Sequence, residues 1–263
     1  MRTWRAVALF LLASLAMAQA QFDGPGSPGV SASLIRLFGT NTAFTAQVEY
    51  QLLNRSNKEL VSLPMSFARL DNRIRVEIDL AKMKNQVQPD ALAQIKPLGM
   101  DQLVTVLRPD QQVTYQVFPR LKAFVKLPMP PAEIDSFLKP AKMERTSLGT
   151  EKMQGFTCTK YRVVAYDGQG KRHEATAWNA PELRNFPVCV ATKEGTETAV
   201  MRFRQVMFNR SEAAKFEPPA GFEQCSDMQA LMAGPVTRYM VKNKTTTNAP
   251  AKSSPPSPAR KKK

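Results

Sequence analysis

The sequence predicts a mainly β fold of the α+β type, in which a curved antiparallel sheet carries a few short helices. Apolar and polar residues alternate with period two through much of the chain, as in strands buried on one face. The alternating segments follow one another through turns, without the regular strand–helix–strand pattern of a parallel sheet. The segments with helical spacing are short and lie between the strands.

The clearest alternation lies in residues 43–53, where every second side chain is apolar and the intervening ones are polar. Residues 61–67 and 74–80 repeat this pattern, and Asp71-Asn72 between them suits a hairpin turn. One face of these three strands is therefore expected to be apolar and to line the concave side of the sheet. Its predicted ligand-lining residues are Phe44, Val48, Tyr50, Val61, Met65, Phe67, Ile74, Val76 and Ile78.

The remaining elements are predicted from the same patterns and from helix capping signals. Further strands are expected at residues 103–107, 113–118, 142–149, 156–166, 172–178, 187–192 and 198–208. Short helices are expected from Ser31 or Ser33 to Phe38, from Asp90 as N-cap to Gly99, after Pro130-Pro131, and at residues 226–234. About ten strands and three or four helices result.

The first 20 residues have the parts of a secretory signal peptide. Arg2 and Arg5 precede an apolar run of 11 residues, and Ala18-Gln19-Ala20 offers a cleavage site. The run is shorter than the roughly 20 residues that span a bilayer, although an uncleaved anchor is the alternative. We therefore expect a periplasmic or otherwise exported protein cleaved after Ala20, with no transmembrane segment elsewhere.

Charge and composition divide residues 21–263 into three segments. The net charge is +15, of which two positive charges lie in residues 1–20 and seven in the last 22 residues, leaving about +6 between them. A nucleic-acid partner is not expected, because such proteins concentrate charge on a folded face. The predicted organisation is a flexible leader at 21–30, a folded domain at 31–240 and a disordered basic tail at 241–263, which suits an anionic envelope surface.

The side-chain inventory favours neither an enzyme nor a metal protein. His173 is the single histidine, and no nucleophile motif, phosphate-binding glycine loop or zinc motif accompanies it. We expect no catalytic residue, no metal site and no cofactor.

The cysteines leave two alternatives open. In an oxidising compartment, Cys158, Cys189 and Cys225 predict one disulfide with one thiol left over, and a pair involving Cys158 is favoured. The alternative is that all three thiols are free and buried.

Six segments in order along the chain resemble bacterial exported proteins of the DUF4412 type. They are residues 70–79 (LDNRIRVEID), 115–125 (YQVFPRLKAFV), 155–161 (GFTCTKY), 171–178 (KRHEATAW), 181–188 (PELRNFPV) and 216–222 (FEPPAGF). Such proteins are similar to the outer-membrane lipoprotein carrier and lipoprotein-sorting (LolA-like) group. The resemblance implies an incomplete β-barrel with helices packed in its concave mouth, which holds the acyl chains of lipids or lipoproteins.

Two functions follow from these observations. The first is a non-enzymatic carrier or sensor that holds an apolar ligand in the half-barrel. Its cavity would be formed by a sheet that the short helices cover incompletely, and Met, frequent in this chain, adapts well to variable ligands. The second is an envelope-associated protein-binding module with a filled core, tethered by its basic tail.

Overall fold

The computed structural model describes residues 32–84, 89–138, 142–166 and 172–247. The predicted signal peptide, the leader and residues 248–263 lie outside these ranges, as does the predicted turn at 167–170. Within them the strands are β1 (Ala43–Leu53), β2 (Glu59–Leu70), β3 (Arg73–Asp79), β4 (Gln102–Arg108), β5 (Val113–Phe118), β6 (Ala123–Pro128), β7 (Met143–Met153), β8 (Phe156–Tyr166), β9 (Arg172–Ala180), β10 (Phe186–Glu194), β11 (Glu197–Met207) and β12 (Glu223–Cys225). The α-helices are α1 (Ala32–Leu37), α2 (Pro89–Ile95), α3 (Pro131–Leu138), α4 (Met228–Leu231) and α5 (Thr237–Thr247).

All twelve of these strands form one open sheet. The spatial order is β12-β6-β5-β4-β3-β2-β1-β11-β10-β9-β8-β7, so β12 and β7 are its two edges. Neighbouring strands pair antiparallel except β12, which runs parallel to β6. The predicted mainly β fold with an antiparallel, unclosed sheet is confirmed, and the parallel edge pair and the strand β6 are additions to it.

Helix α1 shows that the sheet is curved. The carbonyl of Ile35 accepts a hydrogen bond from Arg69 on β2, and the carbonyl of Leu37 accepts one from Arg145 on β7. These two strands are six steps apart in the sheet, which would separate them by roughly 29 Å if the sheet were flat. A six-residue helix reaches both because the sheet curls around it.

Three of the hairpins use the same turn. Each strand ends before a proline that opens one turn of 3₁₀ helix, and the residue after that turn has a positive φ: Gln112 at 59°, Lys122 at 49° and Arg184 at 55°. Proline fixes the φ of the first turn position, and the left-handed residue returns the chain to the sheet. The predicted hairpin at Asp71-Asn72 also forms, with Asp71 at φ 55°.

The core is divided between the two faces. The concave face carries the largest apolar cluster, with side chains from α1 and from strands β1–β4 and β8–β11. On the convex face, residues 208–222 form a covering segment, which we call the convex strap. Its Phe216 is fully buried in a second cluster over β4–β6.

Arginines fix the convex strap to the sheet. Arg108, only 3% exposed, donates to the carbonyl of Phe216 at 3.2 Å and forms ion pairs with Asp110 and Glu217. The hydrogen bond from Arg108 holds the pKa of the Asp110 carboxyl below its usual value. Arg75 adds a hydrogen bond to the carbonyl of Lys215 at 2.9 Å.

The C-terminal helical segment corrects two predictions. The helix expected at 226–234 continues through a π-helical turn (Met232–Val236) into α5, which ends at Thr247. Residues 241–247, assigned to the disordered tail by their composition, are therefore helical. Leu231, Val236 and Met240 pack on a third apolar cluster, and a helix anchored in this way extends into residues that would not form one alone.

Candidate ligand site

The concave face brings together most of the predicted ligand-lining residues. Eight of the nine lie in one buried cluster, each at most 5% exposed: Phe44, Val48, Tyr50, Met65, Phe67, Ile74, Val76 and Ile78. Val61 is half-buried and is not part of that cluster, since it lies near the start of β2, opposite Leu52. The alternation correctly identified the side chains that share a face. In this structure, with helix α1 over that face, they are core residues.

Phenylalanines fill the centre of this face. Phe38, at the end of α1, lies 4.8 Å from Phe44, 5.3 Å from Phe186 and 5.3 Å from Phe203 between ring centroids. Each of these rings is at most 2% exposed. Phe38 directly follows α1 and the other three rings belong to strands, so the segment that carries the helix supplies the side chain in the middle of the hollow.

Arg69 holds α1 in the mouth of the sheet. Its guanidinium donates to the carbonyls of Asp71 at 2.9 Å, Ile35 at 3.2 Å and Asn41 at 3.3 Å. The side chain is buried, which lowers the pKa of Arg69, while the nearby Asp71 carboxylate raises it. Its charge is thus met by three backbone carbonyls, of which those of Ile35 and Asn41 lie in and just after α1, and by the Asp71 carboxylate. Sequence reasoning missed this residue.

Helix α3 closes the mouth beside α1. Its Ile134 and Phe137 pack against the concave cluster and remain partly exposed. The chain enters the helix through Met129, whose amide donates to the carbonyl of Gln112 at 2.9 Å. Burial raises the pKa of the Glu133 carboxyl on the same helix. The cover of the hollow therefore consists of two helices of six and eight residues.

A polar row crosses the apolar lining. Thr105 and Gln116 lie opposite each other on β4 and β5, with a side-chain hydrogen bond of 3.2 Å between them. Thr114 is fully buried, and its hydroxyl has no hydrogen-bond partner among the residues that the structure describes. Cross-strand pairing of Thr105 with Val76 places the row on the concave face. It separates the central cluster from the cluster under α4 and α5.

A cavity of about 390 Å³ lies on the other side of the sheet, between the convex strap and strands β1–β3 and β11. Its lining mixes polar and charged side chains, including Gln47, Arg75, Glu77 and Lys215. Phe67 is the predicted site residue that borders it. The open space therefore does not coincide with the predicted apolar hollow, which is filled by side chains in this structure.

The predicted disulfide is absent. Cys158, Cys189 and Cys225 are all free and buried. Cys158 and Cys189 lie on β8 and β10, which β9 separates, so their backbones are about 10 Å apart, beyond the reach of a disulfide. Burial raises the pKa of Cys189 to about 11 and raises those of Cys158 and Cys225. The three thiols act as small apolar core residues.

Comparisons with known proteins give only distant likenesses. No family model matches the chain, and no curated protein matches it. A LolA superfamily protein from Nitrosomonas europaea is 8% identical, with a TM-score of 0.39, over 72% of this chain and 98% of its own. The lipoprotein LppX from Mycobacterium tuberculosis is 13% identical, with a TM-score of 0.36, over 66% of this chain and 93% of its own. LprF from Mycobacterium bovis is 12% identical, with a TM-score of 0.36, over 70% of this chain and 95% of its own.

Proposed function

We propose that this protein is an exported, non-enzymatic carrier or sensor that holds the acyl chain of a lipid or lipoprotein in its half-barrel. The observation that carries the proposal is the construction of the mouth. Side chains of eight strands form a continuous apolar face, and the short helix at its centre is held by hydrogen bonds from two arginines, Arg69 and Arg145. A ligand enters when helix α1 moves out of the mouth of the sheet and the ligand's acyl chain takes the place of the Phe38 side chain.

The free energy gained by burying an acyl chain is similar in size to the free energy lost when helix α1 leaves the sheet. A 16-carbon chain gains up to about 13 kcal/mol on burial at roughly 0.8 kcal/mol per methylene. Burial of Ile35, Leu37 and Phe38 is worth roughly 5–9 kcal/mol. The hydrogen bonds from Arg69 to Ile35 and Asn41 and from Arg145 to Leu37 add about 1 kcal/mol each. Closed and loaded states of comparable free energy suit a carrier, because the ligand can be both accepted and released.

Fluorescence titration of delipidated protein with a fluorescent fatty-acid probe tests the proposal. The Arg69→Met variant removes the three hydrogen bonds to carbonyls and keeps an apolar stem, so the open state is more populated and the apparent affinity rises. Arg204→Met is the matched control, since Arg204 is 59% exposed on β11 and pairs with Glu49 at the surface. If neither the native protein nor Arg69→Met binds the probe, the carrier function is wrong.

Export is part of the proposal and rests on residues 1–20. Among the described residues, no helix has the length and apolarity needed to cross a membrane. We expect the protein recovered from the periplasm to begin at Gln21, which N-terminal sequencing checks. A mature protein that still carries Met1 would contradict cleavage.

The filled interior favours a second candidate, an envelope-associated protein-binding module with a solid core. In this case the hollow holds no ligand and the basic tail tethers the protein to an anionic surface, at about 1 kcal/mol per basic residue. Deletion of residues 248–263 removes five basic residues and leaves α5 intact. Loss of sedimentation with anionic vesicles, together with failure to bind the fatty-acid probe, would support this module over the carrier.

A further inference from the structure

Three buried polar side chains share one place on the concave face. Thr105 on β4 lies directly opposite Gln116 on β5, and Thr114 lies on the same face of β5, two residues before Gln116. These residues are 1%, 6% and 0% exposed. A buried polar atom lowers stability unless it finds a hydrogen-bond partner, so such groups are uncommon on an apolar face. Three of them together indicate a role at this place.

The Thr114 hydroxyl is the member of the row that the closed structure leaves unpaired. Thr105 donates to the amide oxygen of Gln116 at 3.2 Å, so these two side chains bond to each other. The Thr114 hydroxyl has no such partner within the described part of the chain. Leu107 and Leu127 lie opposite it on β4 and β6, and their side chains carry no polar atom. A dry, unpaired hydroxyl is available to donate to an acceptor that enters the hollow.

The surroundings of the row favour an acceptor without charge. The cross-strand partners of its three members, apart from the members themselves, are Val76, Leu107, Val125 and Leu127. None of these four side chains is charged. An ionised carboxylate buried among them would lose its hydration without gaining a counter-charge. The carbonyl oxygen of an ester or amide needs only a hydrogen bond, which one hydroxyl supplies.

The row is aligned with the centre of the hollow. Cross-strand pairing leads from Gln116 to Thr105, then to Val76 on β3 and to Phe67 on β2. The ring of Phe67 lies 5.6 Å from that of Phe38, between centroids. Three strand spacings amount to roughly 14 Å. One acyl chain fills about half of the hydrocarbon core of a bilayer, or about 15 Å. A chain whose carbonyl lies at the row therefore reaches the position of Phe38.

We propose that the ligand is a neutral acyl ester or amide whose carbonyl oxygen accepts a hydrogen bond from the Thr114 hydroxyl. Its chain then crosses β4 and β3 and takes the place of Phe38. This inference rests on the proposed carrier function and adds the chemical class of the ligand and its direction in the hollow. The hydroxyl is unpaired in the closed state and paired in the loaded state, so it favours the loaded state only for a ligand with a carbonyl.

Fluorescence titration with two probes of equal chain length tests the proposal. One is the methyl ester of the fluorescent fatty acid, and the other is an alkyl version of the same dye without a carbonyl. Thr114→Val keeps the shape of the side chain and removes the hydroxyl. The affinity for the ester should fall about tenfold, while the affinity for the alkyl probe should not fall.

Thr45→Val is the matched control. The Thr45 hydroxyl is also buried and without a partner in the described part of the chain, but Thr45 lines the cavity on the convex side of the sheet. This variant should bind both probes as the native protein does. Urea unfolding shows whether the variants are intact, and Thr114→Val should be at least as stable as the native protein because it removes an unpaired buried hydroxyl.

The two probes distinguish failure of the carrier from failure of this inference. If neither probe binds the native protein, the carrier function is wrong and the inference falls with it. If both probes bind and Thr114→Val weakens neither, or weakens both equally, the hollow holds an apolar chain but Thr114 does not recognise a carbonyl. The ionised fatty acid should bind more weakly than its ester, and equal affinities would show that the row accepts a charged group.

Infrared spectroscopy of an ester with an isotope-labelled carbonyl detects the hydrogen bond itself. The stretching frequency of a carbonyl falls when its oxygen accepts a hydrogen bond. The bound ester should therefore absorb at a lower frequency in the native protein and in Thr45→Val than in Thr114→Val. The same frequency in all three proteins would overturn the proposal.

Competition identifies the source of the acyl group. A diacylglycerol carries neutral ester carbonyls, and a peptide acylated at its N-terminus carries a neutral amide carbonyl. We expect at least one of them to displace the ester probe, and the stronger competitor tells a lipid from a lipoprotein. Displacement by neither would contradict the proposed ligand class.

Discussion

Phe38 bears both on the stability of the fold and on the proposed entry of the ligand. Its ring contacts four sheet phenylalanines, Phe44, Phe67, Phe186 and Phe203, at centroid distances of 4.8–5.6 Å. We expect Phe38→Ala to lower the free energy of unfolding by about 3–5 kcal/mol, since it removes a buried ring and leaves a cavity. Urea unfolding measures the change. Leu148→Ala at the exposed edge is the control and should change it by less than about 0.5 kcal/mol.

Cys189 predicts a pH dependence of stability. Its thiol is buried, which raises its pKa from 9.0 to about 11 in the folded protein. Between these values the folded protein keeps the proton while the unfolded chain loses it, so the free energy of unfolding falls as the pH rises from 9 to 11. The expected loss is about 2–3 kcal/mol. Urea unfolding across this range measures it in native protein and in Cys189→Ala.

The comparison of the two proteins isolates the thiol. All other titratable groups are the same in both proteins, so their contribution cancels in the difference. If Cys189→Ala loses as much stability as the native protein between pH 9 and 11, the thiol is not responsible.

Among individual residues, those that line the apolar face are easier to predict from the sequence than Arg69, which holds helix α1 in place. Phe44, Met65 and Phe67 could be assigned to one buried face because a period of two specifies which side of a strand each residue takes. Arg69 continues that phase two residues after Phe67, and a charged residue in phase with an apolar face is the signal that could have revealed it. Its carbonyl partners depend on how α1 folds back over the sheet, which local periodicity does not contain.

Gly99 controls how the C-terminal helix packs. Its φ is 73°, and a Cβ there would lie 2.8 Å from the Tyr239 ring on α5 and 2.9 Å from Leu121. We expect Gly99→Ala to lower the free energy of unfolding by about 2–4 kcal/mol, which combines left-handed strain with overpacking. Gly39→Ala is the control, since its φ is 54° but an added Cβ would meet none of the described residues beyond its chain neighbours within 4 Å.

Urea unfolding and limited proteolysis of the segment 228–247 measure the effect. The control should lose about 1–2 kcal/mol, from backbone strain alone. Equal losses in the two variants would mean that α5 does not pack tightly on Gly99.

Elements with strong local patterns were predicted, and elements defined by their partners were not. The strand predicted at 113–118 has the observed bounds of β5. Strand β6 has a nearly continuous apolar sequence (AFVKLP) between prolines, without alternation. Strand β12 has three residues and exists because it runs parallel to β6. The helical state of residues 241–247 likewise depends on the packing of residues before them.

For the whole molecule, the segments packed on the two faces of the sheet predict which parts of the fold open first. Strand β1 pairs with β2 and β11, and it has α1 on its concave face and the convex strap on the other. Helix α1 has six residues, and Arg69 contributes much of its attachment. We expect hydrogen–deuterium exchange in α1 to proceed through a local opening, several kcal/mol below the global unfolding that exchanges β1.

Addition of a fatty acid should then change the rates of hydrogen–deuterium exchange in α1 and in β1 in opposite directions. A ligand that only stabilises the closed structure slows exchange everywhere, because it binds the native state alone. A ligand that replaces Phe38 displaces α1, so exchange in α1 accelerates while exchange in β1 and β2 slows. Mass spectrometry of peptides covering residues 32–38 and 43–70 resolves the two responses, and Arg69→Met without ligand should reproduce the acceleration. Slower exchange in α1 on addition of the fatty acid would show that the hollow does not open by release of this helix.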